Sequence, residues 1–156
     1  MNSLTAHNAS ACRASKHARV QQLITADEQS LAELQALIAT LPICSTGRVF
    51  IEVPDESWIG ELEVPARMIV TWLDRSRRSG APGTGRACAS GAALARAVTA
   101  WADEMLCADD RGCGTRIHLL GGFLGTADIF DHLTATLGVP VEAIDTPQRF
   151  GLVATH

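Results

Sequence analysis

Apolar segments alternate along this chain with segments of helical periodicity. Largely apolar segments are predicted as strands at 19–25, 48–53, 67–73, 116–120 and 141–144. Segments with apolar residues three or four positions apart are predicted as helices at 30–41, 87–106 and 126–137. Strands that alternate with helices favour a parallel sheet with helices on both faces. We therefore predict an α/β fold, a three-layer Rossmann-like domain with a parallel sheet of about five strands.

The length of the chain fits a single domain with one proper core, and no internal repeat or linker interrupts it. Residues 1–18 are rich in Ala, Ser, Asn and His and have no apolar period. We predict that they form a flexible leader and that residues 19–156 form the α/β domain.

The charge and the composition exclude several classes of function. A formal net charge of -4 argues against a nucleic-acid partner, which would need a basic face. No apolar run reaches the roughly 20 residues of a membrane helix, and the N-terminus lacks an export signal. The five cysteines form no CxxC motif and no metal-finger spacing with His, so we predict no metal site. We expect reduced thiols and a cytoplasmic protein.

The segment 80–87 has the glycine spacing of a P-loop, but its chemistry differs. A P-loop needs Lys on the phosphates and Ser or Thr on Mg²⁺, and this chain has Arg86 and Ala87 at those positions. A long Arg- and Ser-containing stretch also separates the segment from the strand before it. We predict a flexible glycine loop here and no hydrolysis of nucleotides.

Ligands of parallel α/β sheets bind beyond the carboxyl ends of the strands, where the strand order changes direction. The predicted strands end near 25–30, 54–57, 74–78 and 121–125. Acidic and small polar residues follow the first strand: Asp27, Glu28, Gln29 and Ser30. These residues suit the capping of the next helix, and free backbone N–H groups at the same turn suit a nucleotide pyrophosphate. Both interpretations remain open.

Four segments together resemble a known family. The segment 23–31 resembles the strand and GDET turn of siderophore-interacting proteins, which are flavin-dependent ferric-siderophore reductases related to ferredoxin reductases. Residues 47–55 resemble their second strand, 70–75 their third, and 119–123 the segment that carries small residues and Gly. The resemblance extends over about 19–144.

The resemblance implies a two-part reductase, in which an N-terminal β-barrel holds FAD and a C-terminal α/β domain binds NAD(P)H. This chain resembles only the second part. It departs from the family pattern where Ala26 replaces Gly, Gln29 replaces Thr and Phe123 replaces Glu. The resemblance thus implies a stand-alone NAD(P)H-binding domain that acts in iron utilisation with a separate FAD-binding component and meets the ferric siderophore indirectly. The alternative is a non-catalytic binding domain that kept the fold and lost the nucleotide.

The same comparison predicts where NADPH or NADH would bind. In the related reductases the 2′-phosphate of NADP lies near the end of the third strand, where this chain has several arginines. A solvated surface also explains these arginines. The predicted nucleotide-binding residues are Thr25, Asp27, Glu28, Gln29, Ser30, Asp74, Arg75, Arg77, Arg78, Gly121, Gly122 and Phe123. We assign no catalytic residue, and we interpret His118, inside an apolar strand, as a core histidine.

Overall fold

In a computed structural model of the chain, parallel strands form one sheet in the order β3-β2-β1-β4-β5. The structure describes residues 20–106 and 114–153; the predicted leader at 1–18 lies outside them. The strands are β1 (Gln21–Asp27), β2 (Thr46–Val53), β3 (Arg67–Asp74), β4 (Thr115–Leu119) and β5 (Ile144–Asp145). The helices are α1 (Leu31–Thr40), α2 (Ala92–Met105) and α3 (Phe123–Asp131), and a π-helical turn, His132–Thr136, continues α3.

The strand order places the helices on opposite faces of the sheet. The chain moves from β1 outward to β3, then crosses back over the sheet to β4 on the other side of β1. Because crossovers between parallel strands are right-handed, the two directions of travel put α1 on one face and both α2 and α3 on the other. This arrangement confirms the predicted α/β fold with a parallel sheet.

A hydrophobic core lies on each face of the sheet. On one face, Leu34 and Ile38 of α1 pack in a cluster with Ile24 and Val49. On the opposite face, α2 and α3 bury a larger cluster that includes Leu23, Phe50, Leu94, Val98, Ile117, Leu119, Ile129, Phe130 and Leu133. Each such side chain stabilises the fold by roughly 1.5–3 kcal/mol when it leaves water. Within the described residues, no helix is long and apolar enough to cross a membrane.

Several element boundaries differ from those predicted. Strand β1 continues to Asp27, two residues beyond the predicted end, so Asp27 belongs to the strand and not to the turn. Helix α2 begins at Ala92 and not at Ala87, because Gly91 has a φ of 86° that interrupts the helix. Helix α3 begins at Phe123, three residues before the predicted start. Most of the predicted fifth strand is a 3-10 turn, Val141–Ala143.

The glycine segment 80–87 does not form a phosphate loop. The Gly80 N–H donates to the Arg86 carbonyl at 2.8 Å, and an antiparallel bridge joins Ser79 to Ala87. The segment is therefore closed on itself, and α2 begins only at Ala92. The predicted flexibility of this loop and its lack of nucleotide hydrolysis stay predictions.

Two glycines allow α2 and α3 to approach each other. A Cβ atom at Gly91 would lie 2.8 Å from the Gly125 nitrogen, and one at Gly125 would lie 2.9 Å from the Gly91 Cα. These distances are shorter than any normal carbon contact, so neither position accommodates a side chain without a shift of the backbone.

We expect Gly91→Ala to destabilise the fold more than Gly83→Ala. Both glycines have a left-handed φ, but a Cβ atom at Gly83 meets nothing within 4 Å. Gly83→Ala, the control, should lose only the free energy needed to hold alanine in a left-handed conformation, about 1–2 kcal/mol. Gly91→Ala should lose roughly 1–3 kcal/mol more because of the clash. Urea unfolding of both variants measures the difference. Equal losses of unfolding free energy would show that the close approach of α2 and α3 does not restrict the side chain at position 91.

His118 on β4 is mostly buried, and its Nδ1 lies 3.0 Å from Asp145 Oδ2. Burial lowers the pKa of His118, and the neighbouring Arg116 lowers it further, whereas Asp145 acts in the opposite direction. The folded protein therefore favours the neutral imidazole more than the unfolded chain does.

This pKa shift predicts a loss of stability in mild acid. The contribution is fully present above the unfolded histidine pKa of about 6.5 and is lost as the pH falls through the lower folded value. We expect His118→Gln to show a smaller decrease in unfolding free energy between neutral and mildly acidic pH than the unmodified protein. An unchanged pH dependence in His118→Gln would contradict the assignment.

Candidate functional site

A cleft of about 190 Å³ opens beyond the carboxyl ends of the central strands. After β1 the chain enters α1 on one face of the sheet, and after β4 it enters α3 on the other. This divergence is the switch in strand order at which α/β folds bind ligands. We call the space the switch cleft, and its walls are Asp27, Glu52, Ser90, Gly91, Leu94, Gly122, Phe123, Leu124 and Gly125.

Asp27 ends β1 and organises the turn that follows. Its Oδ1 accepts hydrogen bonds from the backbone N–H groups of Gln29 and Ser30 at 3.0 and 3.1 Å. The Ser30 hydroxyl also donates to this oxygen at 3.0 Å and accepts from the Asp27 N–H at the same distance. Asp27 and Ser30 thus close the turn on itself, and the Ser30 hydroxyl is directed back toward Asp27 and away from α1.

The second carboxylate oxygen of Asp27 is in a different environment. Asp27 is only 9% exposed, and no donor among the described residues is hydrogen-bonded to its Oδ2. A Cβ atom at Gly122 would lie 3.2 Å from this oxygen. The glycine at 122 therefore leaves Oδ2 open to the switch cleft.

Glu52 lies near the end of β2 and is 1% exposed. Its Oε1 accepts from the Gly91 N–H and its Oε2 from the Leu94 N–H, both at 2.8 Å. The N-cap of α2 is Gly91, which has no side chain to bind these N–H groups. Glu52 therefore caps α2 from a neighbouring strand, where the helix dipole also favours a negative charge.

Arg75 follows β3 and joins two carboxylates. Its Nη1 lies 3.0 Å from Glu52 Oε1, and its Nη2 lies 3.1 Å from Glu28 Oε1. Nη1 also donates to the Ser90 hydroxyl at 3.2 Å. Burial disfavours the charged guanidinium, but the hydrogen bonds that Arg75 donates to Glu28 and Glu52 outweigh it and raise the pKa of Arg75. We call Glu28, Glu52 and Arg75 the anchor cluster.

The other arginines after β3 occupy separate positions. Arg77 pairs with Glu56 and, at 3.3 Å, with Asp74, whose Oδ1 also accepts from the Ser76 N–H. Arg78 lies with Arg96 in the wall of a second groove of about 410 Å³, outside the first turns of α2. The three arginines predicted to bind phosphate are therefore not one cluster, and Arg78 lines an open groove.

The remaining predicted residues lie around the cleft at different depths. Phe123 is a wall residue whose ring packs edge-on against Phe150, with ring centroids 5.4 Å apart. Gly121 is buried against Leu94, and a Cβ atom there would lie 3.1 Å from its methyl group. Thr25 is completely buried, and its hydroxyl has no partner among the described residues.

The structure therefore places Asp27, Gly122 and Phe123 in the cleft wall and Glu28 and Arg75 beside it. Asp74, Arg77 and Arg78 lie farther along the sheet, at the end of β3. Their roles in nucleotide binding stay predictions. Among residues 20–106 and 114–153, no group of three His, Cys, Asp or Glu side chains is placed to hold a metal ion.

Sequence reasoning missed Glu52 and Gly91 as site residues. Glu52 carried a signal, because it is the only charged residue in the apolar stretch 49–53. A charge within a buried strand indicates a specific partner. Gly91 was assigned to the interior of a helix, and only the tertiary structure shows that it begins one and lines the cleft.

Loss of the Glu52 charge should destabilise the protein far more than loss of a similar exposed charge. Glu52→Gln removes the charge that Arg75 and the α2 N-terminus require, and we expect a loss of about 3 kcal/mol. Glu56→Gln is the matched control, because Glu56 pairs with Arg77 on an exposed turn and should contribute at most about 1 kcal/mol. Urea unfolding at neutral pH measures both. Similar losses would contradict a supporting role for the anchor cluster.

Comparison with known proteins supports the predicted fold and identifies a family that the chain matches. The family model for siderophore-interacting proteins matches residues 19–110. The crystal structure of the siderophore-interacting protein SipS from Aeromonas hydrophila aligns with a TM-score of 0.56 and 18% identity, over 83% of this chain and 50% of that one. A siderophore utilization protein from T. fusca aligns with a TM-score of 0.54 and 25% identity, over 80% and 42%.

No curated protein matches the chain. The chain spans half or less of the length of these two solved structures. At 18% identity, the similarity to SipS concerns the fold alone. The family model, however, matches more than half of the residues of this chain. The chain therefore belongs to the siderophore-interacting protein family.

Proposed function

We propose that the chain is the nicotinamide-nucleotide-binding part of a ferric-siderophore reductase system in iron utilisation, with FAD held by a separate component. The single observation that carries the proposal is the switch cleft, in which a buried carboxylate offers a free oxygen at the point where β1 and β4 diverge. Membership of the siderophore-interacting protein family supports the assignment to siderophore chemistry.

The size of the cleft limits what it can hold. Its volume of about 190 Å³ is below the roughly 300–1,000 Å³ of pockets that enclose drug-sized ligands. It can enclose one aromatic ring and not a dinucleotide. The nicotinamide ring with its carboxamide fits such a space, and the rest of the nucleotide would lie outside the cleft.

The wall residues suit this ring chemically. Asp27 Oδ2 can accept a hydrogen bond from the carboxamide NH₂ group, and Phe123 provides an apolar wall. Oδ1 of Asp27 is held by three donors, so the free oxygen has a fixed direction before any ligand binds. When bound, a reduced nicotinamide supplies a hydride to a flavin. The contribution of this chain would be to bind and orient the ring.

The groove beside α2 suits the phosphate groups of the nucleotide better than the turn after β1 does. Arg78 and Arg96 line this groove, and guanidinium groups bind phosphate through paired hydrogen bonds. Arg96 already donates to the carbonyl oxygens of Ala92 and Ser79, so the proposal for the phosphates rests mainly on Arg78. The N–H groups of Gln29 and Ser30, in contrast, already donate to Asp27. Either NADPH or NADH remains a candidate. Cys44 and Cys88 form no disulfide within the described residues, and the cytoplasmic location stays part of the proposal.

A second candidate function is a binding domain that kept the fold and lost the nucleotide. One observation favours it: the carboxylates Asp27, Glu28 and Glu52 surround the site, and the nearest guanidinium, Arg75, is already paired with two of them. A pyrophosphate would be repelled here. The two candidates differ in whether NADH or NADPH binds at all.

Calorimetric titration of NADH and NADPH tests the proposal. We expect binding by the unmodified protein and at least a roughly tenfold loss, about 1.4 kcal/mol, in Gly122→Val. The valine would fill the cleft beside Asp27, while the backbone φ of −63° at Gly122 accepts any residue. Gly60→Val is the matched control, because a Cβ atom at Gly60 meets nothing within 4 Å.

The outcomes separate the two candidates. No heat of binding at millimolar NADH and NADPH would overturn the nucleotide proposal and favour the binding domain. Equal affinity of Gly122→Val and Gly60→Val would leave nucleotide binding intact but place it outside the switch cleft. Thermal unfolding of both variants checks that each is folded.

A further inference from the structure

The switch cleft is strongly acidic on its inner side. Asp27 and Glu52 form part of its wall, and Glu28 adjoins it through the anchor cluster. Arg75 is the cation bound to this group, and it lies behind Glu52 and Glu28, with both of which it is ion-paired. The guanidinium of Arg75 is therefore paired with two of the three carboxylates. Asp27 has no cationic partner among the described residues.

The position of Asp27 strengthens the attraction between its carboxylate and a cation in the cleft. Asp27 is 9% exposed, so water screens its carboxylate weakly. The three donors to Oδ1 prevent the side chain from turning Oδ2 away from the cleft. Oδ2 accepts no hydrogen bond from the described residues, so a ligand that brings a positive charge or a hydrogen-bond donor would find a free acceptor there.

Another part of the wall is aromatic. Phe123 begins α3, and its ring is supported edge-on by Phe150. Arg149 lies 4.9 Å from the centroid of the Phe150 ring and is not a wall residue. Aromatic rings attract cations as well as apolar surface. A small cleft lined by a carboxylate and an aromatic ring is therefore complementary to a planar cation.

We propose that the switch cleft selects the oxidised, cationic form of the nicotinamide ring over the neutral, reduced form. The inference rests on the proposed function and specifies which redox form the site prefers. The oxidised ring is a pyridinium with one positive charge, whereas the dihydropyridine ring is uncharged. The charge of Asp27 distinguishes the oxidised ring from the reduced ring. The shape of the ring and the carboxamide contact are common to both forms.

The preference has a consequence for redox chemistry. A site that binds the oxidised form more tightly makes the bound reduced form a stronger reductant, because the two binding free energies and the two potentials form a closed cycle. For a two-electron couple, a tenfold preference lowers the potential of the bound nucleotide by about 30 mV. A lower potential of the bound nucleotide suits a protein that passes electrons to another component.

A pair of small molecules tests the charge preference directly. 1-Methylnicotinamide is cationic and nicotinamide is neutral, and both carry the same ring and carboxamide. Titration of each into the full chain, followed by NMR shifts or calorimetry, should show at least tenfold tighter binding of 1-methylnicotinamide. Asp27→Asn should remove most of the preference, because the amide keeps the shape and loses the charge. Asp128→Asn, on α3 outside the cleft wall, is the control and should keep the preference.

A second variant covers the case in which Asp27→Asn does not fold. Gly122→Ala would place a methyl group 3.2 Å from Oδ2 and shield it, which should also reduce the preference. Gly60→Ala should not change it. Titration of NAD⁺ and NADH then extends the measurement to the nucleotides, where the same preference is expected.

The outcomes separate this inference from the proposed function. Equal binding of the two small molecules, or no binding of 1-methylnicotinamide at tens of millimolar, would overturn the inference. If NADH and NADPH still bound, the proposed function would stand without it. A clear preference for 1-methylnicotinamide in a protein that binds no nucleotide would support a cation-selective cleft and reject the nucleotide proposal.

Discussion

The buried carboxylate of Glu52 is the interaction on which the candidate site depends. A charge that is almost completely removed from water is costly unless donors surround it, and Glu52 has Arg75 and the N–H groups of Gly91 and Leu94. These partners come from the end of β3 and from the first turn of α2. One side chain therefore connects β2 to an adjacent strand and to the helix that crosses over the sheet. Removal of any partner leaves the others inside the protein without compensation.

The position of α2 determines the shape of the cleft. Glu52 holds the N-terminus of α2 near the strand ends, and Gly91 then contacts Gly125 in the first turn of α3. Gly122 and Phe123, at the start of α3, line the same cleft as Asp27. Because Arg75 is engaged by Glu52 and Glu28, it does not neutralise Asp27. The acidity of the cleft is thus a consequence of the same contacts that hold the helices in place.

The sequence predicts the fold better than the site. Strands β2 and β3 and helix α1 have strong apolar patterns, and the rule for strand ends correctly places Asp27, Gly122 and Phe123 near one another. The charge of Glu52 within an apolar strand indicates a specific partner, but the identity of that partner was not predictable, because Gly91 lies far along the chain at a position predicted to be inside a helix. The pairing of Arg75 depends on Glu28, two strands away in the sheet, and no local pattern indicates that contact.

Capping and ligand binding at the turn after β1 are compatible, although the sequence presents them as alternatives. Asp27 has two carboxylate oxygens in two environments. Oδ1 closes the turn through Gln29 and Ser30, and Oδ2 faces the cleft with no donor among the described residues. Closing the turn fixes the direction of the free oxygen, so the structural role is compatible with the proposed binding role. An acidic turn is a poor site for phosphate, but the same turn presents a fixed negative charge to the cleft, and this charge is the basis of the proposed preference for a cationic ring.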